Sequence, residues 1–442
     1  MNTPADNLPV PAQRQRVLAN FGYLARGRAL AALLSFGATA LMARVLGPSE
    51  FGVAMLIESY YLLMRGLFDF RTFDSVVRFG VPRHAAGDLH GLRRLVAVCR
   101  RVDRWSCVAG TAVAVIVAPL VGPSIGVPPA AIGLLAAYSL VLLTETNNAA
   151  SGVLRLFGRF DAIGWQMTIG SAVTFVGVVI AWWLKAPLYV FVAIMAVAQA
   201  TENLYLSRRG WREYRDRLGE PPPEADASRP AVAEFPGMRH FLWMSYWQSN
   251  MDIVPKHLAM LLAGNLLDAA GAGLLRLARQ IASLLGKSSV LIRDVSFPDL
   301  TRLWHHEPSA LRRTAYRTAL AGAAVGLALV IVSWVWGADF LRVLVGEKFV
   351  AASALLSLML LASTLDLAAA PLRSAIYAIG HAGRLLVAYM LAMALFLVLF
   401  VVLTKWLGLI GPGIAACAAA ALPLVVMVVL IQRAMANHAR QA

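Results

Sequence analysis

The sequence predicts an all-α, multi-pass membrane protein with about twelve transmembrane helices in two repeats of six helices. Of its 442 residues, 59% are hydrophobic and only 14% are charged, and the mean hydropathy is +0.66. A transmembrane helix needs about 20 mostly apolar residues, and such segments recur along the whole chain. Inside a bilayer the backbone has no water to bond to, so each segment is expected to be helical.

The apolar segments fall into two equal groups along the chain. The first segment follows a polar stretch and has no small-residue cleavage site after it, so we expect a retained helix and not a signal peptide. The first group lies at 20–45, 51–75, 105–122, 130–155, 162–184 and 187–206. The second group lies at 240–263, 271–296, 315–337, 351–376, 385–407 and 411–432.

A polar stretch separates the two groups. It contains the run Glu220-Pro221-Pro222-Pro223-Glu224, and proline-rich charged segments act as semi-rigid spacers. We therefore predict an N-terminal six-helix half at 1–206, a cytoplasmic, basic and proline-rich linker at 207–238, and a C-terminal six-helix half at 239–442.

The two halves share local features at a steady offset. Gly52 opens the second helix of the first half, and Gly273 opens the second helix of the second half. Leu-Arg-Arg follows that helix in both halves, at 92–94 and at 311–313. An even number of helices starts both repeats on the same side of the membrane. They are therefore expected to be parallel repeats, an arrangement found in transporters.

The distribution of Lys and Arg predicts the orientation. Most of the 40 basic residues lie in segments on the same side as the N-terminus, which is the cytoplasmic side by the positive-inside rule. The opposite loops hold only Arg44, Lys185, Arg342, Lys348 and Lys405. Both termini are therefore predicted to be cytoplasmic, in the cell (inner) membrane. This bias also explains the net charge of +16, so no nucleic-acid partner is expected.

Several cations fall well inside the apolar segments. A charge at the bilayer centre costs about 2.5–3.5 kcal/mol on insertion scales, so it is expected to face protein or water. These residues predict a cationic cavity for an anion, because Arg and Lys bind phosphate groups well. The alternative interpretation is that nearby carboxylates neutralise these cations. The predicted substrate-binding residues are Arg28, Arg65, Lys256, Arg276, Arg279 and Lys287.

Carboxylates in the same segments are candidates for coupling or charge balance. Asp69 lies one helical turn from Arg65, and Asp252 lies one turn from Lys256. Glu145 and Asp366 fall near equivalent points of the two halves. Two roles are open for them: binding a proton, or forming a structural hydrogen bond or an ion pair across helices. With Glu58, the predicted set is Glu58, Asp69, Glu145, Asp252 and Asp366.

Motifs typical of enzymes and metal sites are absent from the sequence. There is no GxxxxGK[ST] phosphate loop and no HExxH or CxxC motif, and the three cysteines show no metal spacing or disulfide framework. The predicted outside loops are short. We therefore expect no enzyme activity, no cofactor and no metal site.

Two stretches carry a family resemblance. The first predicted turn reads Ala43-Arg44-Val45-Leu46-Gly47-Pro48-Ser49-Glu50-Phe51-Gly52, and a later stretch reads Phe297-Pro298-Asp299-Leu300-Thr301-Arg302-Leu303. They resemble signatures of the polysaccharide transporter, or O-antigen flippase, family. This family belongs to the multidrug/oligosaccharidyl-lipid/polysaccharide (MOP) flippase superfamily, whose fold is MATE-like. The resemblance extends over essentially the whole chain.

The resemblance implies a function. It implies flipping of a polyprenyl-pyrophosphate-linked oligosaccharide to the outer leaflet by alternating access, for lipopolysaccharide or another surface polysaccharide. The implied partners are that substrate, membrane lipids, and polysaccharide polymerase or assembly proteins. Related lipid II flippases use arginines in helices 1, 2 and 8, which implies Arg26 or Arg28, Arg65, and Arg276 or Arg279. Twelve predicted helices, with no additional C-terminal pair, make lipid II itself a less expected substrate.

Two other functions remain open from the sequence. A cation-coupled multidrug exporter of the same superfamily would share the helix count, although acidic cavities suit its cationic substrates better. The other hypothesis is an enzyme or a scaffold of polysaccharide assembly.

Overall fold

Every regular element in the described part of the chain is a helix. The computed structural model describes residues 10–220 and 232–441, and it describes their side chains except at 10–29, 233, 252, 287–301, 304–306, 308 and 437–441. The first seven helices are α1 (Val10–Phe68), α2 (Thr72–Ala85), α3 (Leu89–Val121), α4 (Ile132–Ser139), α5 (Asn148–Leu156), α6 (Phe160–Trp183) and α7 (Leu188–Leu218). The others are α8 (Met238–His306), α9 (Pro308–Val345), α10 (Ser353–Ile379), α11 (Ala382–Leu407) and α12 (Gly411–Gln441).

Nine spans within the described residues are long and apolar enough to cross a membrane. Three of them, with 56, 49 and 55 residues, are much longer than the roughly 20 residues that one crossing takes. Each is interrupted: by Gly47 in α1 (φ 72°, ψ 174°), by Asp268 in α8 (φ 69°, ψ −178°), and by the 3₁₀ turn Gly408–Ile410. The chain is a multi-pass membrane protein, and the count of twelve crossings stays a prediction.

The chain forms two compact units. One consists of Met1–Met42, Ile57–Ser124 and Pro128–His257, and we call it unit 1. Unit 2 consists of Ala43–Leu56, Ile125–Val127 and Leu258–Ala442. The predicted division at 207–238 stays a prediction.

Residues 207–218, the first part of the predicted linker, are helical. They extend α7 to Leu218 because one side of this stretch is apolar and buried. Tyr214 and Leu218, each 1% exposed, pack in a core cluster of unit 1 with Leu92 and Leu95 of α3.

The fourth predicted span, 130–155, is not one continuous helix. α4 ends at Ser139, a 3₁₀ turn covers Leu140–Thr144, residues 145–147 are not helical, and α5 starts at Asn148. The sequence here is Thr144-Glu145-Thr146-Asn147-Asn148, and Thr and Asn side chains compete with helical backbone bonds and favour caps and turns. The break places polar groups and non-helical backbone inside unit 1.

Candidate functional site

The break after α4 carries a buried carboxylate with three side-chain partners. Glu145 is 6% exposed, and its Oε2 lies 3.1 Å from Nη2 of Arg65 on α1. Its Oε1 accepts hydrogen bonds from the hydroxyl of Tyr61 and from Nδ2 of Asn203, the latter at 2.9 Å. Three elements of unit 1 therefore meet at one carboxylate.

Asn203 of α7 extends this network. It is fully buried, and its Nδ2 also donates to Oγ1 of Thr144 at 2.9 Å. Its Oδ1 accepts from Nδ2 of Asn147 at 3.0 Å and from Nε2 of Gln199 at 3.3 Å. Because a buried polar group without partners is costly, these bonds fix the position of the break.

Two aspartates lie next to the network. Oδ1 of Asp69 accepts from the backbone N–H of Arg71 at 2.8 Å and from Nδ2 of Asn148 at 2.9 Å. Asp103 of α3 is 4% exposed and accepts from Oγ1 of Thr72 at 2.6 Å and from the backbone N–H of Ala149 at 2.7 Å. Asp103 thus satisfies the N–H group of Ala149, in the first turn of α5, from another helix, in the manner of a cap.

A small cavity opens among these groups. Its volume is about 20 Å³, which admits about one water molecule. Asp69, Asp103 and Glu145 line it together with Arg65, so it has three carboxylates and one guanidinium. This balance suits a proton or a cation better than an anion. Among the described residues, no group of His, Cys, Asp and Glu has the arrangement of a metal site.

Unit 2 carries two cations of the predicted site. Arg276 and Arg279 are half-buried and lie three residues apart on α8, so they are neighbours on one side of the helix. The segment that carries them starts after Asp268, whose side chain accepts a hydrogen bond from the backbone N–H of Gly271 at 2.9 Å. Like charges at this spacing repel each other, and a bound anion would relieve the repulsion.

Two glycines allow the segment of α8 after Asp268 to pack closely against α1. A Cβ built on Gly52 would lie 1.7 Å from the carbonyl oxygen of Ala269, and one built on Gly273 would lie 2.3 Å from the carbonyl oxygen of Pro48. These are the glycines that the sequence aligned at equivalent points of the two halves. Only residues without a side chain allow the two backbones to approach so closely.

The predicted site residues are divided between the two units. Unit 1 holds Glu58, Arg65, Asp69, Glu145 and Lys256; unit 2 holds Arg276, Arg279 and Asp366. Arg65 pairs with Glu145 and not directly with Asp69, its predicted partner. Glu58 is half-buried, whereas Lys256 and Asp366 are exposed. Glu145 and Asp366 therefore have different surroundings. The side chains of Arg28, Asp252 and Lys287 lie outside the described residues.

Asp103 and Asn203 belong to this site but were not among the predicted residues. Asp103 stands between Arg101 and Arg104, so the sequence placed it in a basic loop before a span starting at 105. In the structure α3 starts at Leu89, which places Asp103 inside the helix. For Asn203 a signal exists: a neutral amide next to Glu202, near the end of an apolar segment.

Comparison with known proteins places the fold. No protein-family model matches the sequence. The inner membrane protein YghQ of Escherichia coli (strain K12) is 22% identical over 342 residues, which are 76% of this chain and 94% of that protein.

Two solved transporter structures match nearly the whole chain. An inward-facing multidrug resistance MATE family transporter of the MOP superfamily gives a TM-score of 0.67 at 15% identity, over 91% of this chain and 95% of the other. The lipid II flippase MurJ in an inward closed conformation gives 0.68 at 11% identity, over 92% and 87%. The predicted fold class is confirmed: this chain has the all-α membrane fold of MATE and MOP-superfamily transporters.

Proposed function

We propose that the protein is a transporter that moves a polyprenyl-pyrophosphate-linked oligosaccharide across the cell (inner) membrane by alternating access. The fold likeness supports transport in general, because the matched structures are a MATE family transporter and a lipid II flippase. It favours transport over catalysis, and the name of the E. coli relative favours the inner membrane. Polysaccharide polymerase or assembly proteins are proposed partners, and both termini are proposed to be cytoplasmic.

The proposed substrate is inferred from the two neighbouring arginines of unit 2. Arg276 and Arg279 are the charged residues of the stretch 269–286, which is otherwise free of charge, and charges inside membrane spans are rare and mark substrate or ion pathways. Arginine binds phosphate through two parallel hydrogen bonds, and a pyrophosphate offers enough oxygens for two such contacts. A charged head group with sugars cannot cross hydrocarbon unaided.

The carboxylates of unit 1 have a different proposed role. Asp69, Asp103 and Glu145 outnumber Arg65 around the cavity, so we assign this cluster to charge balance or coupling and not to substrate phosphate. Protonation of one carboxylate would change the ion pair between Arg65 and Glu145, and with it the hydrogen bonds to α7.

A flipping assay with purified protein tests the proposal. Liposomes containing the protein would carry a fluorescent polyprenyl-diphosphate oligosaccharide, and a membrane-impermeant quencher would report the fraction in the outer leaflet. We expect the wild type to move the lipid and R276A/R279A to slow it at least about tenfold, since weakening two charge-assisted hydrogen bonds removes more than 1.4 kcal/mol.

The control is R312A/R313A, which removes two arginines from exposed positions of α9. It should leave the rate unchanged. Equal slowing by both variants would contradict the assignment of Arg276 and Arg279, and no movement of the lipid by the wild type would contradict the flippase proposal itself.

Export of an organic cation is the second candidate function. The observation that favours it is the excess of carboxylates around the unit 1 cavity. In the same liposomes, uptake of a labelled organic cation by the wild type, lost in D69N, would support export in place of flipping.

A further inference from the structure

A second charged site is a cleft lined by residues of α6 and α7. Arg208, Arg209 and Arg212 of α7 line a cleft of about 350 Å³, within the usual range of about 300–1,000 Å³ for ligand sites. Ile169 and Leu204 supply an apolar wall, and Thr201 and Tyr205 supply hydroxyls. All of these residues belong to unit 1, and none of them belongs to the network around Glu145.

The cleft lies where α7 leaves the hydrocarbon. α7 has 31 residues, so it is about 46 Å long, whereas the hydrocarbon core is about 30 Å thick. A helix that enters at Leu188 reaches the other edge about 20 residues later, at Arg208. Exposed Leu204 and Trp165 lie on the hydrocarbon side of that point, and aromatic residues are common at this depth.

The neighbouring helix confirms which ends lie together. Nη1 of Arg159, just before α6, lies 2.8 Å from Oε2 of Glu213 near the end of α7. The two helices are therefore antiparallel, and the start of α6 lies beside the arginine-rich end of α7. The apolar part of the cleft continues toward the middle of both helices.

The positive charge of the cleft is largely uncompensated. Arg208 and Arg212 are exposed, and in the described part of the chain neither forms an ion pair. Arg209 is 3.9 Å from Asp161, but that carboxylate is already held by Arg159 at 3.2 Å. Three guanidinium groups thus lie next to an apolar wall at the edge of the bilayer.

We propose that this cleft binds the phosphate head group of an anionic phospholipid, with an acyl chain along Ile169 and Leu204. The arginines suit the head group of such a molecule, because basic pockets at the membrane boundary bind lipid head groups. The apolar wall suits its acyl chain. A soluble phosphate would use the arginines but not the wall. In the predicted orientation the site faces the cytoplasmic leaflet.

Native mass spectrometry of the full-length protein in detergent tests this site. The protein is titrated with dioleoyl-phosphatidylglycerol or with dioleoyl-phosphatidylcholine, which has the same chains but no net charge. We expect preferential binding of one phosphatidylglycerol, and about 30-fold weaker binding in R208Q/R212Q, since each arginine near a membrane surface contributes about 1 kcal/mol.

Three controls separate the explanations. R208K/R212K keeps the charge and should keep most of the affinity, and R312Q/R313Q removes two exposed charges elsewhere and should have no effect. An equal loss in R312Q/R313Q, or no loss in R208Q/R212Q, would overturn the site. Displacement of phosphatidylglycerol by glycerol 3-phosphate at equal concentration would show that a soluble phosphate is the ligand and would overturn the lipid assignment.

Discussion

The carboxylate of Glu145 illustrates how a charge is kept inside a membrane protein. Arg65 neutralises it, and Tyr61 and Asn203 donate hydrogen bonds to it. The sequence indicated that Arg65 and Glu145 were buried charges, because each interrupts an apolar segment. It could not indicate that they pair, because 80 residues separate them and only the packing of α1 against the break after α4 brings them together.

Removing the charge of Glu145 should destabilise the protein. In E145Q the half-buried guanidinium of Arg65 loses its ion-pair partner, and we expect a loss of about 2 kcal/mol in unfolding free energy. Thermal unfolding in detergent measures it. The double variant R65Q/E145Q should be more stable than E145Q alone, since it also removes the guanidinium that E145Q leaves without its ion-pair partner. A double variant less stable than E145Q would contradict this account.

At the level of helices, contacts between backbones depend on glycine. Gly52 and Gly273 allow the second segment of α1 to touch the second segment of α8 inside unit 2. The sequence showed that both glycines begin a helix at equivalent points, but periodicity within one segment carries no information on which other segment it meets. The break after α4 had a clearer signal, a run of Thr, Glu and Asn, which hydropathy alone did not take into account.

A methyl group at Gly52 should therefore be poorly tolerated. G52A would place a carbon against the carbonyl oxygen of Ala269, and overpacking of this kind typically costs about 1–3 kcal/mol. The matched control is G383A in α11, where a Cβ has no heavy atom within 4 Å. We expect a lower melting temperature for G52A and no decrease for G383A. An equal effect of the two would contradict the packing argument.

At the level of the whole chain, composition and segment length were sufficient for the fold class. Apolar runs of about 20 residues require helices in a bilayer, and these helices have the fold of transporters with which the chain shares only 15% and 11% identity. Sequence could not assign the cations to units either: Arg65 lies in unit 1 and Arg276 in unit 2. The substrate is a matter of side-chain chemistry, which differs among proteins of one fold.

The orientation can be tested on the whole chain. The excess of Lys and Arg on one side predicts that both termini are cytoplasmic. A green fluorescent protein fused after Ala442 should fluoresce in cells, and an alkaline phosphatase fused there should be inactive. Phosphatase inserted at Gly408–Ile410 should be active, because that turn is predicted to face outward. The reverse pattern would contradict the predicted orientation.

The unwound residues 145–147 also have a mechanical consequence. A continuous helix transmits rotation along its length like a stiff rod, because twisting it requires breaking a ladder of backbone bonds. Here the ladder is already interrupted, and side chains of Asp103, Asn147 and Asn203 hold the joint in its place. The angle between α4 and α5 is therefore set by side-chain hydrogen bonds, which a single substitution can remove, and not by a ladder of backbone bonds.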